Sequence, residues 1–495
     1  MVMPRSSPRQ AGPVSISTWA GVRHLRNPVL PCPLRKEVIY RCRNIRGSLS
    51  RRSPRGEWSA LCRLSRANVH VNKGGMDVQR FVRAVSAVLL APALLLGVAA
   101  IGRPPGAQGA YASASEIKIG AVLPLTGPFV ASGTYFKQGY TMAIDEVNKA
   151  GGLDVAGQKY TISLTILDDG SDATRSRSLV EKLVTDQHVN FLLGGYDTSL
   201  IEAQEVVPDQ YKIPYVEGGG AASEIFKRGY KYVFGTLASI YNMGRFTMGF
   251  IAAQQAAGKL PKPLTIALVW ENTDHGKDYE TAVLEEAQAD PGSFKVVLNQ
   301  AFQLNGSDFS PLLQQVKAAN AQAFLSDAHL PDFITMHRQY LQAGLYHQFI
   351  SYGGRGPDQK GRQALGPGAD YLVAAVWWTP ALKDPASQLF AQKYTQQYHQ
   401  VPDWFQALSY DTARVLLLAI REAQSLKGPV VRDQLSKLIM RNSLLPGGVI
   451  RFAPDGQIVA PYVMVQNTPG NTVRIIWPQK LPESRDPILP LPHAQ

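Results

Sequence analysis

Residues 116–125 read Glu-Ile-Lys-Ile-Gly-Ala-Val-Leu-Pro-Leu. Ile117, Ile119, Ala121 and Leu123 recur at period two, the spacing of a strand with one face buried. Beyond it, residues 135–149 carry Met142, Ala143, Ile144 and Val147 on one helical face. Gly151-Gly152 follows and can supply a left-handed stop. A strand, a helix and a glycine stop within 37 residues set a grammar that the chain repeats. The next strand is expected at 161–167. Ser171-Asp172 is placed to cap a helix over 173–185. Short strands at 190–193 and 213–216 flank a helix over 200–210.

After Tyr232-Val-Phe-Gly the same order begins again. Helices are expected at 242–255, 278–288, 311–318 and 332–343. The strands between them are 264–270, 294–298, 321–325 and 348–352. Strands alternating with helices through short loops give parallel sheets flanked by helices. Two such runs predict two α/β, Rossmann-like lobes. The tail departs from this pattern: residues 449–452, 459–465 and 473–477 read as a small antiparallel set. Ligands of open α/β sheets sit beyond the carboxyl ends of the strands, so those loops are where a site is expected.

The formal charge of +13 suggests an acidic partner until it is located. Residues 1–75 carry fifteen Lys/Arg against Glu37 and Glu57, which is the entire excess. The rest of the chain is neutral, and no nucleic-acid partner is expected. Cys32, Cys42 and Cys62 also lie in that stretch, at spacings that match no zinc pattern. From Met76 the chain reads as a secretory signal peptide: a basic start, an apolar run from Ala84 to Ile101, and Ala110-Tyr-Ala-Ser-Ala as an exit. The run is long enough for an uncleaved anchor, but Pro92, Gly97 and the Ala-x-Ala choices favour cleavage. A signal peptide normally begins a chain. Residues 1–75 are therefore read as translated upstream sequence or a disordered basic extension, with a basic arm or transit segment as alternatives.

The motifs of common catalysts are missing. The sequence has no Gly-x-x-x-x-Gly-Lys-Ser/Thr, no Gly-x-Ser-x-Gly, no His-Glu-x-x-His and no EF-hand loop. No enzyme, catalytic residue, cofactor or metal is expected. His275, beside Asp274, reads by itself as an exposed loop histidine; Asp168, Asp169 and Asp172 read as a turn and cap. Gly194-Gly-Tyr-Asp-Thr-Ser199 and Glu217-Gly-Gly-Gly-Ala-Ala-Ser223 each follow a strand and precede a helix. Backbone N–H groups in such loops can hold an anion, and the same glycines also serve tight turns.

The ordered set Ile117 to Pro128, Gly139, Ala143-Ile-Asp-Glu-Val-Asn, Gly151-Gly152, Asp168-Asp169, Ile213-Pro214, Phe309-Ser-Pro-Leu-Leu and Tyr410-Asp-Thr-Ala-Arg resembles the leucine/isoleucine/valine-binding type of periplasmic receptor. That resemblance covers nearly all of 116–480. It implies the class I two-lobed fold, joined by three crossing segments. The first lobe would be 116–237 plus 379–447, and the second 238–378 plus 448–495. It implies a periplasmic, monomeric substrate-binding component that delivers an amino acid or related small carboxylate to an inner-membrane ABC permease. A periplasmic sensor using the same fold is the alternative.

By the same resemblance, ligand contacts fall on Phe129, Asp197, Thr198, Ser199, Gly219, Gly220, Ala221, His275, His329 (or Leu330) and Arg355. Two departures weaken the amino-acid assignment. The threonine usual near Ala221 is missing, and where the family usually has an acid to meet the ammonium, around Arg355, an arginine stands nearby. The expectation is a carboxylate held by Gly219, Gly220, Thr198, Ser199 and Arg355, with no need for an α-amino group. N-terminal sequencing of the exported protein should find a start between Tyr111 and Ser115; recovery only in membranes would contradict it.

Overall fold

The computed structural model describes residues 115–493; the basic extension, the signal peptide and its cleavage region lie outside them. The opening strand is β1 (Ser115–Leu123). Ile117 and Ile119 are buried while Lys118 is exposed, and from Gly120 onward both faces are covered. That switch marks a strand entering the middle of a sheet with helices on both sides.

The helix α1 (Val130–Lys149) begins one turn earlier than its apolar pattern suggested. It ends where Gly151 and Gly152 adopt φ of +94° and +91°. Next come β2 (Leu153–Val155) and β3 (Gln158–Asp168). The Asp172 side chain caps α2 (Ala173–Thr185), accepting from Arg175 N at 2.7 Å. After β4 (Phe191–Leu193), the expected single helix is two, α3 (Thr198–Gln204) and α4 (Val206–Tyr211). Strands β5 (Tyr215–Glu217) and β6 (Val233–Gly235) complete a first sheet of order β2-β3-β1-β4-β5-β6. All its pairings are parallel except β2 with β3.

The second lobe opens with α5 (Ile240–Ala256), β7 (Leu264–Glu271) and α6 (Asp274–Ala289). It continues through β8 (Phe294–Phe302), β9 (Ala323–Asp327), α7 (Leu330–Gln342), β10 (Phe349–Tyr352) and β11 (Val373–Val376). The chain then returns to the first lobe with α8 (Pro385–Tyr398) and α9 (Trp404–Ala423). Strands β12 (Ile439–Arg441) and β13 (Val449–Arg451) form a two-stranded antiparallel pair. The last strands, β14 (Val463–Thr468) and β15 (Thr472–Trp477), are not a separate antiparallel set. They extend the second sheet to β15-β14-β11-β10-β9-β7-β8, with β14 antiparallel to β11. Pairing satisfies the backbone groups that the edge of β11 would otherwise leave open. Among the described residues, no helix is long and apolar enough to cross a membrane.

The chain passes between the sheets at 236–239, 377–384 and 459–462. The third passage falls later than the expected break at 447/448. Residues 449–458 stay with the first lobe because Gly235 N donates to Gly456 O, and Ile458 N donates to Gly235 O. The passages are tied together. Trp377 Nε1 donates to Ala238 O at 2.9 Å, Tyr462 to Ser239 O at 2.6 Å, and Gln457 Nε2 to Leu237 O at 3.1 Å.

The first lobe is closed by α1 crossing α9, which meet at Gly139. A Cβ there would lie 2.7 Å from Gln406 O and 2.8 Å from Tyr410 N, both backbone atoms, and closer still to Ser409 Oγ. Gly139→Ala should therefore lower the unfolding free energy by about 1–3 kcal/mol, the usual cost of overpacking. Gly249→Ala, in an exposed helical position with nothing within 4 Å, should raise it by about 0.5–1 kcal/mol. Urea unfolding of the two variants checks both signs.

Candidate functional site

The carboxyl ends of the parallel strands of both sheets converge on one place. Phe129 follows β1, and Tyr196 and Asp197 follow β4. From the other sheet come Glu271 at the end of β7, His275 in the first turn of α6, Asp327 at the end of β9, His329, and Arg355 after β10. All eight are buried.

Acids and histidines alternate there. His329 Nε2 lies 2.8 Å from Asp197 Oδ2, and its Nδ1 lies 2.6 Å from Glu271 Oε2. His275 Nδ1 lies 2.7 Å from Asp327 Oδ2 and 3.5 Å from Glu271 Oε1. Ionised carboxylates only accept, so His329 must donate from both nitrogens and is an imidazolium. Burial opposes that charge, but Glu271, Tyr196 and Asp197 outweigh it and hold its pKa well above the ordinary value. Burial likewise opposes charge on His275, yet Asp327 and then Glu271 raise it to about 9. The same pairing overcomes burial to hold Asp197 below the usual carboxylate range and Glu271 well below it.

Asp197 carries φ of +79°, a conformation costly for a residue with a Cβ. It is held there by His329 and by Ser199, whose N–H and hydroxyl both donate to Asp197 Oδ1. An ion pair between Asp197 and His329 thus joins the two lobes.

A second contact across the gap is made by Arg355. Its Nη2 donates to the Tyr196 hydroxyl at 2.6 Å. The guanidinium carbon lies 5.8 Å from the Tyr196 ring, 5.3 Å from Trp404 and 5.2 Å from Phe405. Its Nη1 has no hydrogen-bond partner, although the residue is only 5% exposed. The Thr198 hydroxyl is buried without a partner as well. Phe129 packs 5.1 Å from the His329 ring and 5.9 Å from Tyr196.

Residues 116–471 match the family model described as periplasmic binding protein. The chain belongs to the periplasmic binding protein family. It has the class I form found in ABC transporters, whose members here are solute-binding proteins and not enzymes. The Leu/Ile/Val-binding protein homolog 8 of Brucella suis biovar 1 is 26% identical over 382 residues, which is 74% of this chain and 88% of that one. Among solved structures, the substrate-binding protein LivJ of Streptococcus pneumoniae, in complex with isoleucine, matches with a TM-score of 0.64 at 21% identity. It covers 74% of this chain and 100% of its own. A solute-binding protein of R. palustris in complex with benzoate matches at 0.63 and 18% identity, covering 73% and 96%.

Of the residues expected in the site of this periplasmic binding protein, Phe129, Asp197, Thr198, His275, His329 and Arg355 do meet. His275 is a buried helical residue, not an exposed loop histidine, because Thr273 caps α6 and turns the ring toward Asp327. Ser199 is exposed, and its hydroxyl is engaged by Asp197. Gly219 and Gly220 are buried, but their N–H groups are not open to an external anion. Both donate to Glu217 Oε2 at 2.7 Å, two and three residues back. Ala221 is buried and accepts from Ile240 N at the start of α5. Sequence reading missed Tyr196, Trp404 and Phe405. Tyr196 lies inside the Gly194–Ser199 loop that was singled out, whereas nothing local marks a tryptophan 200 residues away.

Burial raises the Glu217 carboxyl to about 8 from 4.5, with the two glycine N–H groups offsetting only part of it. The folded state keeps a proton that the unfolded chain loses, so this residue subtracts stability as pH rises from 4.5 to about 8. Glu217→Gln keeps an acceptor and cannot ionise. Its urea midpoint should fall less than that of the wild type across this window; an equal fall would place the titration elsewhere.

Proposed function

We propose that the protein is the extracytoplasmic substrate-binding component of an ABC importer, closing on a small carboxylate in the interlobe cleft and delivering it to a membrane permease. The unpartnered Nη1 of buried Arg355 carries this reading. A guanidinium sealed from water needs its donors filled, and a carboxylate fills them with charge-assisted bonds. The Thr198 hydroxyl supplies a further donor. Phe129, Tyr196 and Phe405 offer ring faces to the body of the ligand, while Asp197, His329 and His275 shape its floor. Closure occurs about the three tied passages.

The ligand does not need an α-amino group. Asp197, Glu271 and Asp327 are each committed to a histidine, and the Arg355 guanidinium facing them would repel an ammonium. Relatives and fold neighbours include both leucine-type receptors and one in complex with benzoate. The aromatic enclosure of Arg355 favours the second kind of solute. The Ala-x-Ala exit after the apolar run from Ala84 supports export.

Calorimetry should find that benzoate and the 2-keto analogue of leucine bind, with leucine no tighter than its analogue. Arg355→Ala should weaken carboxylate binding by about 1.5–3 kcal/mol. Binding of leucine without its deaminated partner, or no loss in the variant, would overturn the assignment.

A further inference from the structure

We infer that Glu271, His275 and Asp327 form a binding site for one divalent transition-metal ion in the wall of the second lobe. Glu271 closes β7, His275 follows four residues later in the first turn of α6, and Asp327 closes the neighbouring strand β9. Each offers one ligand atom, and the three lie within 4.8 Å of one another. The separations from His275 Nδ1, 2.7 Å to Asp327 and 3.5 Å to Glu271, bracket the edges of a coordination shell. Metal bonds of about 2.0–2.2 Å place neighbouring ligand atoms about 3–3.5 Å apart.

Charge points the same way. Two carboxylates face a single imidazole in a site where none of the three residues is more than 8% exposed. With the His275 Nδ1 proton displaced by the metal, Asp197, Glu271, Asp327 and the His329 imidazolium sum to a charge of −2, and a divalent cation offsets that. One imidazole with two carboxylates is a mixed nitrogen and oxygen set, suited to Zn2+, Mn2+, Fe2+, Co2+ or Ni2+ rather than to a soft ion.

The surroundings support the ligands. His329 holds the other Glu271 oxygen, Oε2, which is the kind of outer contact that orients a metal-binding carboxylate. Gly353, at φ of +54°, leaves room for Asp327: a Cβ there would lie 2.9 Å from Oδ1. Three protein ligands leave the remaining positions for water or for a donor atom of a solute in the adjoining cleft. All three ligands come from one lobe, so the site does not depend on closure.

The test uses the purified protein, stripped with a chelator, loaded separately with Zn2+, Co2+ or Mn2+ and dialysed. Metal analysis should find about one ion per chain for at least one metal, with visible bands of nitrogen- and oxygen-coordinated Co2+. X-ray absorption of the Zn2+ form should show a single imidazole. His275→Ala and Asp327→Asn should lose the ion, with circular dichroism confirming the fold, and Arg355→Ala should retain it. His275→Gln serves if the alanine variant does not fold. Wild-type protein that retains no ion, an ion bound without imidazole, or full retention in a folded His275 variant would each overturn the site.

Discussion

Leu237, Ala238 and Ser239 offer three carbonyl groups in a row; Ala238 and Ser239 take hydrogen bonds from the other two passages between the lobes, and Leu237 takes one from Gln457, just before the third. Buried carbonyls need partners, so the three passages cannot be arranged independently. Gln457, Trp377 and Tyr462 register one sheet against the other. The carboxyl ends of β1 and β4 then face those of β7, β9 and β10. The contacts across the gap, His329 with Asp197 and Arg355 with Tyr196, follow from that alignment.

Once the strand ends face each other, water leaves the gap and charge must be neutralised locally. The alternation Asp197, His329, Glu271, His275, Asp327 does this across 130 residues of sequence. Each imidazole sits between two carboxylates, and Asp197 and Glu271 keep their charge because an imidazolium is within hydrogen-bond reach. Arg355 is different. Rings and one phenol hydroxyl touch it, and the carboxylates of Asp358, Asp327 and Glu271 favour its charge without a hydrogen bond to it, so its donors are not all filled.

Local features were legible in the sequence. The alternation of Ile117 and Ile119, the cap at Asp172 and the stop at Gly151-Gly152 are decided by neighbours a few residues away. The site was legible only in part. A glycine-rich loop at a strand end placed Asp197 and Thr198, and the family resemblance placed His329 and Arg355. What fills a donor could not. Gly219 and Gly220 look free until Glu217 folds back on them, and His275 looks solvent-facing until β9 brings Asp327 beside it. Trp404 and Phe405 reach Arg355 because α9 returns from beyond the second lobe. The tail strands were misplaced for a similar reason, since only the partner, β11, decides which sheet they join.

The crossing of α1 and α9 has a bearing on how the molecule is made. Its two helices are separated by five of the seven strands of the second sheet, so the first lobe cannot be completed from the first half of the chain. Until Trp404–Ala423 has been synthesised, the α1 face that holds Gly139 has nothing to pack against. Contacts of such sequence separation slow folding. The lobe that is made first is therefore also the one that cannot close early.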